Sequence, residues 1–358
     1  MKYLDLQSIN ARYVHAADKV MESGWYLRGE ATRRFEHHYA EYIGTKHCIG
    51  VGNGLDALTL ILRAYKELGM LHDGDEVIVP ANTYIASILS ITENRLTPVL
   101  VEPDISTLQI DDTLIEQAVT GRTRALMIVH LYGRCAYTEK IGDICRRHSL
   151  ILIEDNAQAH GCLFVHRHTG SLGHAAAHSF YPTKNLGAFG DAGAVTTDQE
   201  ELAEAIRSIA NYGGKSHYIF EQIGRNSRID EIQAAILDEK LRHLNEANQR
   251  RKEIASIYQE KIRHQDIVIP QCDRDNVYHI FPILTPRRDE LKQYLLEHDV
   301  ETMIHYPVPP HKQACYREWN SRSLPITERI HAEELSLPCN QAMKNEEADM
   351  IASLLNRF

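Results

Sequence analysis

Lys184 stands in the run His178-Ser179-Phe180-Tyr181-Pro182-Thr183-Lys184-Asn185-Leu186-Gly187, five positions after Ser179. Upstream, Asp155 closes the apolar stretch 150–153 within Ile153-Glu154-Asp155-Asn156-Ala157-Gln158. A solvated surface lysine is the ordinary case. This lysine instead follows a predicted strand among apolar and aromatic neighbours. Such an amine becomes nucleophilic when burial or nearby cations lower its pKa from about 10.4. An amine that condenses with an aldehyde, a carboxylate that keeps a pyridine nitrogen protonated and a hydroxyl for a phosphate are together what pyridoxal phosphate (PLP) requires.

Other residues extend this set. Asn53-Gly54-Leu55-Asp56 opens a predicted helix after a strand, where free amides and the helix dipole favour an anion. Ser179 adds a hydroxyl to that cup. Gln158 is placed to touch the ring face or its phenolic oxygen. Tyr84 ends another strand and can stack on a flat ring, although a lone aromatic is more often core. Asp155 alone would read as a strand-end turn or cap. A competing group is the histidine-rich stretch His160, Cys162, His166, His168, His174 and His178. Its spacing matches no compact zinc pattern and it has no paired cysteine, so no metal site is assigned.

The elements that carry these residues follow from periodicity. Strands are predicted at 48–51, 76–79, 98–101, 125–129, 150–153, near 175–180 and at 192–196. Helices between them are predicted at 55–68, 85–92, 113–119 and 139–148. Seven strands alternating with helices predict an α/β fold with a large, mostly parallel sheet covered on both faces. In such sheets ligands bind at the carboxyl ends of the strands, where 53–54, 80–84, 130–133 and 155–158 all fall. Ahead of the sheet, helices are expected at 11–23 and from Thr32, with Thr32 as cap, to residue 43. Residues 23–29 read as a turn. Beyond the sheet the pattern predicts helices at 200–210 and 229–264, strands at 277–284 and 301–306, and helices at 288–298 and 345–357. The expected division is a large domain, 1–245, and a smaller C-terminal α+β domain, 246–358.

The chain has 358 residues, 43% hydrophobic and 25% charged, with a net charge of −10. This acidic balance and the lack of a basic block argue against a nucleic-acid surface. Seven scattered cysteines without a CxxC pair predict a reduced, cytoplasmic protein. No signal-like or membrane-spanning apolar run is present, so no membrane partner is expected.

Seven ordered motifs resemble the DegT/DnrJ/StrS sugar aminotransferases, a family of fold-type I PLP enzymes. They are 23–26, 52–58, 154–161, 179–184, 224–230, His305-Tyr306-Pro307 and Leu335-Ser336-Leu337-Pro338. The resemblance implies that Lys184 binds the cofactor as a Schiff base and then shuttles the proton. It implies that Asp155 pairs with the ring nitrogen, Gln158 contacts the phenolic side and Tyr84 stacks on the ring. Gly54, Leu55 and Ser179 would bind the phosphate, with Asn226 reaching it from a second subunit of a homodimer with shared active sites. Trp25, Tyr26, Tyr181, His305 and Tyr306 would face the substrate.

The Gly-Leu-Asp-Ala-Leu and Phe-Tyr-Pro-x-Lys-Asn-Leu-Gly forms resemble the branch acting on dTDP-3-keto-6-deoxyhexoses with L-glutamate as donor. Leu55 stands where many relatives have Thr, Asn156 where Ala is common and Ala192 where Gly is common. Three other readings are open at this stage. They are a UDP-4-keto-sugar 4-aminotransferase, a PLP-binding regulator without turnover, and a metal-dependent hydrolase built on the histidines.

Overall fold

The computed structural model describes residues 1–216, 218–271, 273 and 275–358; Cys272 therefore lies outside the described residues. Seven strands form the main sheet: β1 (His47–Val51), β2 (Glu76–Pro80), β3 (Thr97–Val101), β4 (Thr123–Val129), β5 (Ile151–Asp155), β6 (Ala175–Ser179) and β7 (Gly193–Thr197). Their spatial order is β1-β7-β6-β5-β4-β2-β3. The block from β6 to β3 is parallel, and β7 runs antiparallel to both its neighbours.

All five residues of β2, of β5 and of β7 are buried, as a sheet covered on both faces demands. The two-residue period sorts them. Val77, Val79, Ala125, Met127, Ile151 and Ile153 join one core. Ile78, Leu126, Ile128, Leu150 and Leu152 join another on the opposite face. Helix α1 (Glu30–Ile43) precedes the strands in sequence, α2 (Gly54–Glu67), α3 (Ile85–Glu93) and α4 (Glu139–His148) lie among them, and α5 (Glu200–Ile209) follows β7. The apolar side of α2 (Leu58, Ile61, Leu62, Tyr65) packs on the first core, and that of α4 (Ile141, Ile144) on the second.

Helices α6 (Glu231–Leu241) and α7 (Leu244–Lys261) follow, so the expected single helix 229–264 is two, parted at Arg242 and His243. The C-terminal part holds strand β8 (Phe281–Leu284), helices α8 (Arg288–Glu297) and α9 (Pro325–Glu333), strand β9 (Glu334–Leu337) and helix α10 (Asn345–Leu355). Its core joins Ile254 and Tyr258 of α7 to Phe281, Leu291, Leu335, Leu337 and Ile351.

Two expectations fail here. The predicted strand 301–306 is only an isolated bridge between Met303 and Ser336, because β8 already pairs antiparallel with the unpredicted β9. Of the predicted strand 277–284 only Phe281–Leu284 is paired.

At the other end, 11–23 is a short 3₁₀ turn, Ala11–Tyr13, and a separate helix, Asp18–Ser23. Thr32 is not a cap: α1 begins at Glu30 after Gly29. The buried carboxylate of Glu231 does the capping, accepting from the amides of Gly29 (2.7 Å), Ala31 (2.9 Å) and Thr32 (2.9 Å). It satisfies the orphan donors that every helix start leaves. A partner 202 positions away, as between Gly29 and Glu231, leaves no local sequence signal.

Candidate active site

A cavity of about 800 Å³ opens at the carboxyl ends of β4, β5 and β6. Ten of the residues singled out from the sequence line it: Gly54, Leu55, Tyr84, Asp155, Gln158, Ser179, Tyr181, Lys184, His305 and Tyr306. Trp25, Tyr26 and Asn226 do not; the two aromatics are 66% and 51% exposed, and Asn226 is exposed as well.

Lys184 leaves β6 on a tight loop. Its amide donates to Tyr181 O at 2.9 Å, and the Ala188 amide returns to Phe180 O at 2.8 Å. A side-chain carbon at Gly187 would come within 2.4 Å of Pro182 O, so only glycine closes this loop. Asn185 ties it down from below, donating to Asn248 Oδ1 (2.8 Å) and Val277 O (2.9 Å). Lys184 Nζ has no hydrogen bond or ion pair among the described residues. Burial pushes its amine down to about 8, with the Asp155 charge pulling the other way.

Asp155, the last residue of β5, is 6% exposed. Ser87 Oγ donates to its Oδ2 at 2.8 Å and the Ala157 amide to its Oδ1 at 3.2 Å. Ser87 is itself 2.8 Å from Thr83 Oγ1. Burial still raises the Asp155 carboxyl above the usual range, against these donors and Lys184. A buried carboxylate in this condition lacks a full counter-charge, which a protonated ring nitrogen would supply.

The anion cup is built at the start of α2. Asn53 caps the helix by accepting from the Asp56 amide at 2.8 Å. The amides of Gly54 and Leu55, first in the helix, have no intrahelical acceptor. A side-chain carbon on Gly54 would sit 2.7 Å from Ser179 Cβ, so glycine lets these amides approach the Ser179 hydroxyl. Free amides, a hydroxyl, an amine and a buried acid in one cavity fit pyridoxal phosphate.

The opposite wall is tied together by Tyr132, which sequence reasoning missed. Gln158 Oε1 accepts from the Tyr132 amide at 2.6 Å, which turns Nε2 to Tyr306 Oη at 3.0 Å. Tyr132 Oη donates to His305 O at 2.7 Å. Tyr306 also meets Tyr84, ring centroids 5.0 Å apart. Ser87, Thr83 and Tyr132 carry no motif; Ser87 lies inside a helical pattern and Tyr132 in a loop.

The histidine-rich stretch does other work. Among the described residues no three His, Cys, Asp or Glu side chains stand where they could hold a metal. His178 is bonded to Tyr39 Oη (2.9 Å) and Thr196 Oγ1 (2.8 Å). His174 Nδ1 accepts from the Leu152 amide at 2.9 Å. His160 stacks on Phe180 and burial pushes it down to about 3.

The mostly parallel sheet, with an amine that has no partner among the described residues and a buried acid sharing the cavity at its edge, is the fold of a PLP-dependent aminotransferase of fold type I. The chain belongs to the DegT/DnrJ/EryC1/StrS aminotransferase family, whose model matches residues 7–356. It is 50% identical over 364 residues to the dTDP-3-amino-3,6-dideoxy-alpha-D-galactopyranose transaminase of Aneurinibacillus thermoaerophilus, covering 99% of each chain. It is 42% identical to the erythromycin biosynthesis sensory transduction protein EryC1 of Saccharopolyspora erythraea, covering 99% of this chain and 98% of that one. Among solved structures it superposes on DesV of S. venezuelae in complex with a ketimine intermediate. There the TM-score is 0.95 at 41% identity, over 99% of this chain and 97% of the other.

Proposed function

We propose that this protein moves the amino group of L-glutamate to carbon 3 of a dTDP-linked 3-keto-6-deoxyhexose, giving the 3-amino-3,6-dideoxyhexose. The observation that carries the reading is the unpartnered, deprotonation-prone Lys184 in one cavity with buried Asp155. The 50% identity to a transaminase named for a dTDP-3-amino-3,6-dideoxy sugar supports the substrate class.

When bound, pyridoxal phosphate supplies the aldehyde and the electron-accepting ring. Asp155, its Oδ2 steadied by Ser87, would hold the ring nitrogen protonated. The Gly54 and Leu55 amides and Ser179 Oγ would hold its phosphate, and Tyr84 and Gln158 would hold its ring. Lys184 Nζ takes the proton from the donor's α-carbon in the first half-reaction. In the second it returns one to carbon 3 of the sugar. Tyr181, His305 and Tyr306 orient the sugar nucleotide.

We also assign Trp25, Tyr26 and Asn226 to the site of a partner subunit in a homodimer. Their absence from the lining of this chain's own cavity and their exposure support that role. The division at 245/246 into a large and a small domain falls in the first turn of α7, ahead of the α7 residues that join the C-terminal core. No described helix is long and apolar enough to cross a membrane; we assign the protein to the cytoplasm.

The test is a spectrum and a product. The protein should be yellow, bleach with L-glutamate, and recover colour with a dTDP-3-keto-6-deoxyhexose. NMR of the product should find the amine on carbon 3. Amine on carbon 4 from a UDP-linked sugar would replace the substrate assignment, and a yellow protein that glutamate never bleaches would make it a regulator.

A further inference from the structure

One wall of the cavity is backed by a chain of hydrogen bonds that the proposed mechanism does not use. His305 Nδ1 lies 2.8 Å from Ser336 Oγ. Ser336 Oγ is hydrogen-bonded to Glu334 Oε1, and Glu334 Oε2 accepts from the His305 amide. Glu334 and Ser336 are fully buried on β9, and no cation forms an ion pair with Glu334 among the described residues. The His305 ring lines the cavity and keeps Nε2 for it.

We propose that Glu334, acting through Ser336, decides which ring nitrogen of His305 carries the proton, and so whether the cavity offers the sugar nucleotide a donor or an acceptor. This rests on the reading that the cavity takes a nucleotide-linked keto sugar. The proton count leaves two arrangements, because Ser336 has a single hydroxyl hydrogen. With Glu334 ionised, Ser336 donates to the carboxylate, His305 Nδ1–H donates to Ser336, and Nε2 is an acceptor. With Glu334 protonated, its O–H donates to Ser336, Ser336 donates to His305 Nδ1, and Nε2–H points a donor at the ligand. One proton taken up at Glu334 reverses the two side-chain bonds, Glu334–Ser336 and Ser336–His305, while the His305 amide donates to Oε2 in both states.

The surroundings favour the second arrangement at neutral pH. Burial raises the Glu334 carboxyl to about 8, against its bonds to Ser336 and the His305 amide and the charge of Arg288. Arg288, on α8, is itself occupied by Asp289 (2.8 Å) and His331 O (2.7 Å). Tyr3, Tyr132 and Tyr306 face Glu334 from the other elements. Burial and the Lys184 charge push His305 down to about 4, so the ring stays neutral; Tyr3, Tyr306 and His279 also lie beside it, and Tyr3 bonds Ser336, whose second lone pair accepts it in either arrangement. Nε2–H then meets an oxygen acceptor of the sugar nucleotide and is withdrawn as pH rises through about 8.

The experiment compares the two substrates of the loaded enzyme between about pH 6.5 and about pH 9. In the wild type the KM of the keto-sugar nucleotide should rise about tenfold through this range, a step absent from the KM of glutamate. Glu334→Gln presents an amide N–H to Ser336 in place of the acid O–H and locks the donor form; its sugar KM should be low and flat. Ser336→Ala cuts the chain, so its sugar KM should be high and flat. NMR of nitrogen-15-labelled histidine in the wild type reads the tautomer directly and depends on no variant folding. It should show His305 with its proton on Nε2 below about pH 8 and on Nδ1 above. One tautomer throughout, or a Glu334→Gln enzyme that keeps the wild-type step or raises both KM values alike, overturns the proposal. A wild type that aminates no keto sugar overturns the functional reading instead.

Discussion

Lys184 and Lys240 are both brought down to about 8 by burial, one standing on the 180–188 loop and the other bonded to it from α6. Lys240, on α6, donates to Asn10 Oδ1 at 2.8 Å and to Gly187 O, and lies over the Tyr13 and Phe189 rings. Its amine is spent on holding Gly187. Lys184, three residues earlier, has no hydrogen bond among the described residues and faces Asp155 across a cavity. Desolvation alone therefore makes an amine easier to deprotonate without making it a nucleophile. What distinguishes the two is whether hydrogen-bond acceptors or open space surround the nitrogen. Lys240 acts as part of the frame that presents Lys184.

The sharpest separation of the pair is by substitution. Lys184→Ala should abolish turnover, by roughly 10³-fold or more, in a steady-state transamination assay. Lys240→Met should leave turnover within a few-fold and cost about 1–3 kcal/mol of stability by stranding the Gly187 carbonyl. Equal loss of turnover in both variants would erase the distinction.

Asp155→Asn keeps the shape but removes the charge that sets Lys184 apart. It should lower kcat by roughly 10²–10³-fold, with cofactor still bound as seen in the visible spectrum. Ser87→Ala strips one donor from that carboxylate and should lower kcat by about tenfold, as loss of a charge-assisted hydrogen bond implies. An unchanged kcat would show that Asp155 needs no help from α3.

The smallest effect expected is on pH. The lysine cation is disfavoured by burial, so the free amine predominates above about 8, not above the ordinary lysine value. Capture of added cofactor by apo-protein, followed by visible absorbance, should rise with pH and level off above about 8. A rise continuing to about 10.4, the free-lysine value, would mean that Lys184 is solvated.

The lysine loop and the strand end at Asp155 were legible because each is local: an apolar run ending in an acid, and a lysine among apolar and aromatic neighbours after a strand. Their sharing of one cavity followed from the parallel topology, which gathers strand ends on one edge. The supports were not legible. Ser87 reaches Asp155 from an ordinary helical position, Tyr132 joins Gln158 to His305 through a backbone amide, and Glu231 caps a helix some two hundred residues away. The missed strand β9 and the expected strand 301–306 share one cause. Both stretches can pair, and only the packing of the C-terminal core assigns β8 to the former.

Alternation of hydrophobicity and the types of a few residues were enough to define the seven-stranded α/β sheet and the cofactor, and to single out Lys184 and Asp155, which the fold brings to one cavity. Those features depend on interactions within a few positions of chain. The protonation of Lys184, the steadying of Asp155 and the wiring of His305 to Glu334 emerged only from the folded chain. They depend on burial and on contacts between segments far apart in sequence, and neither quantity exists until the core has closed.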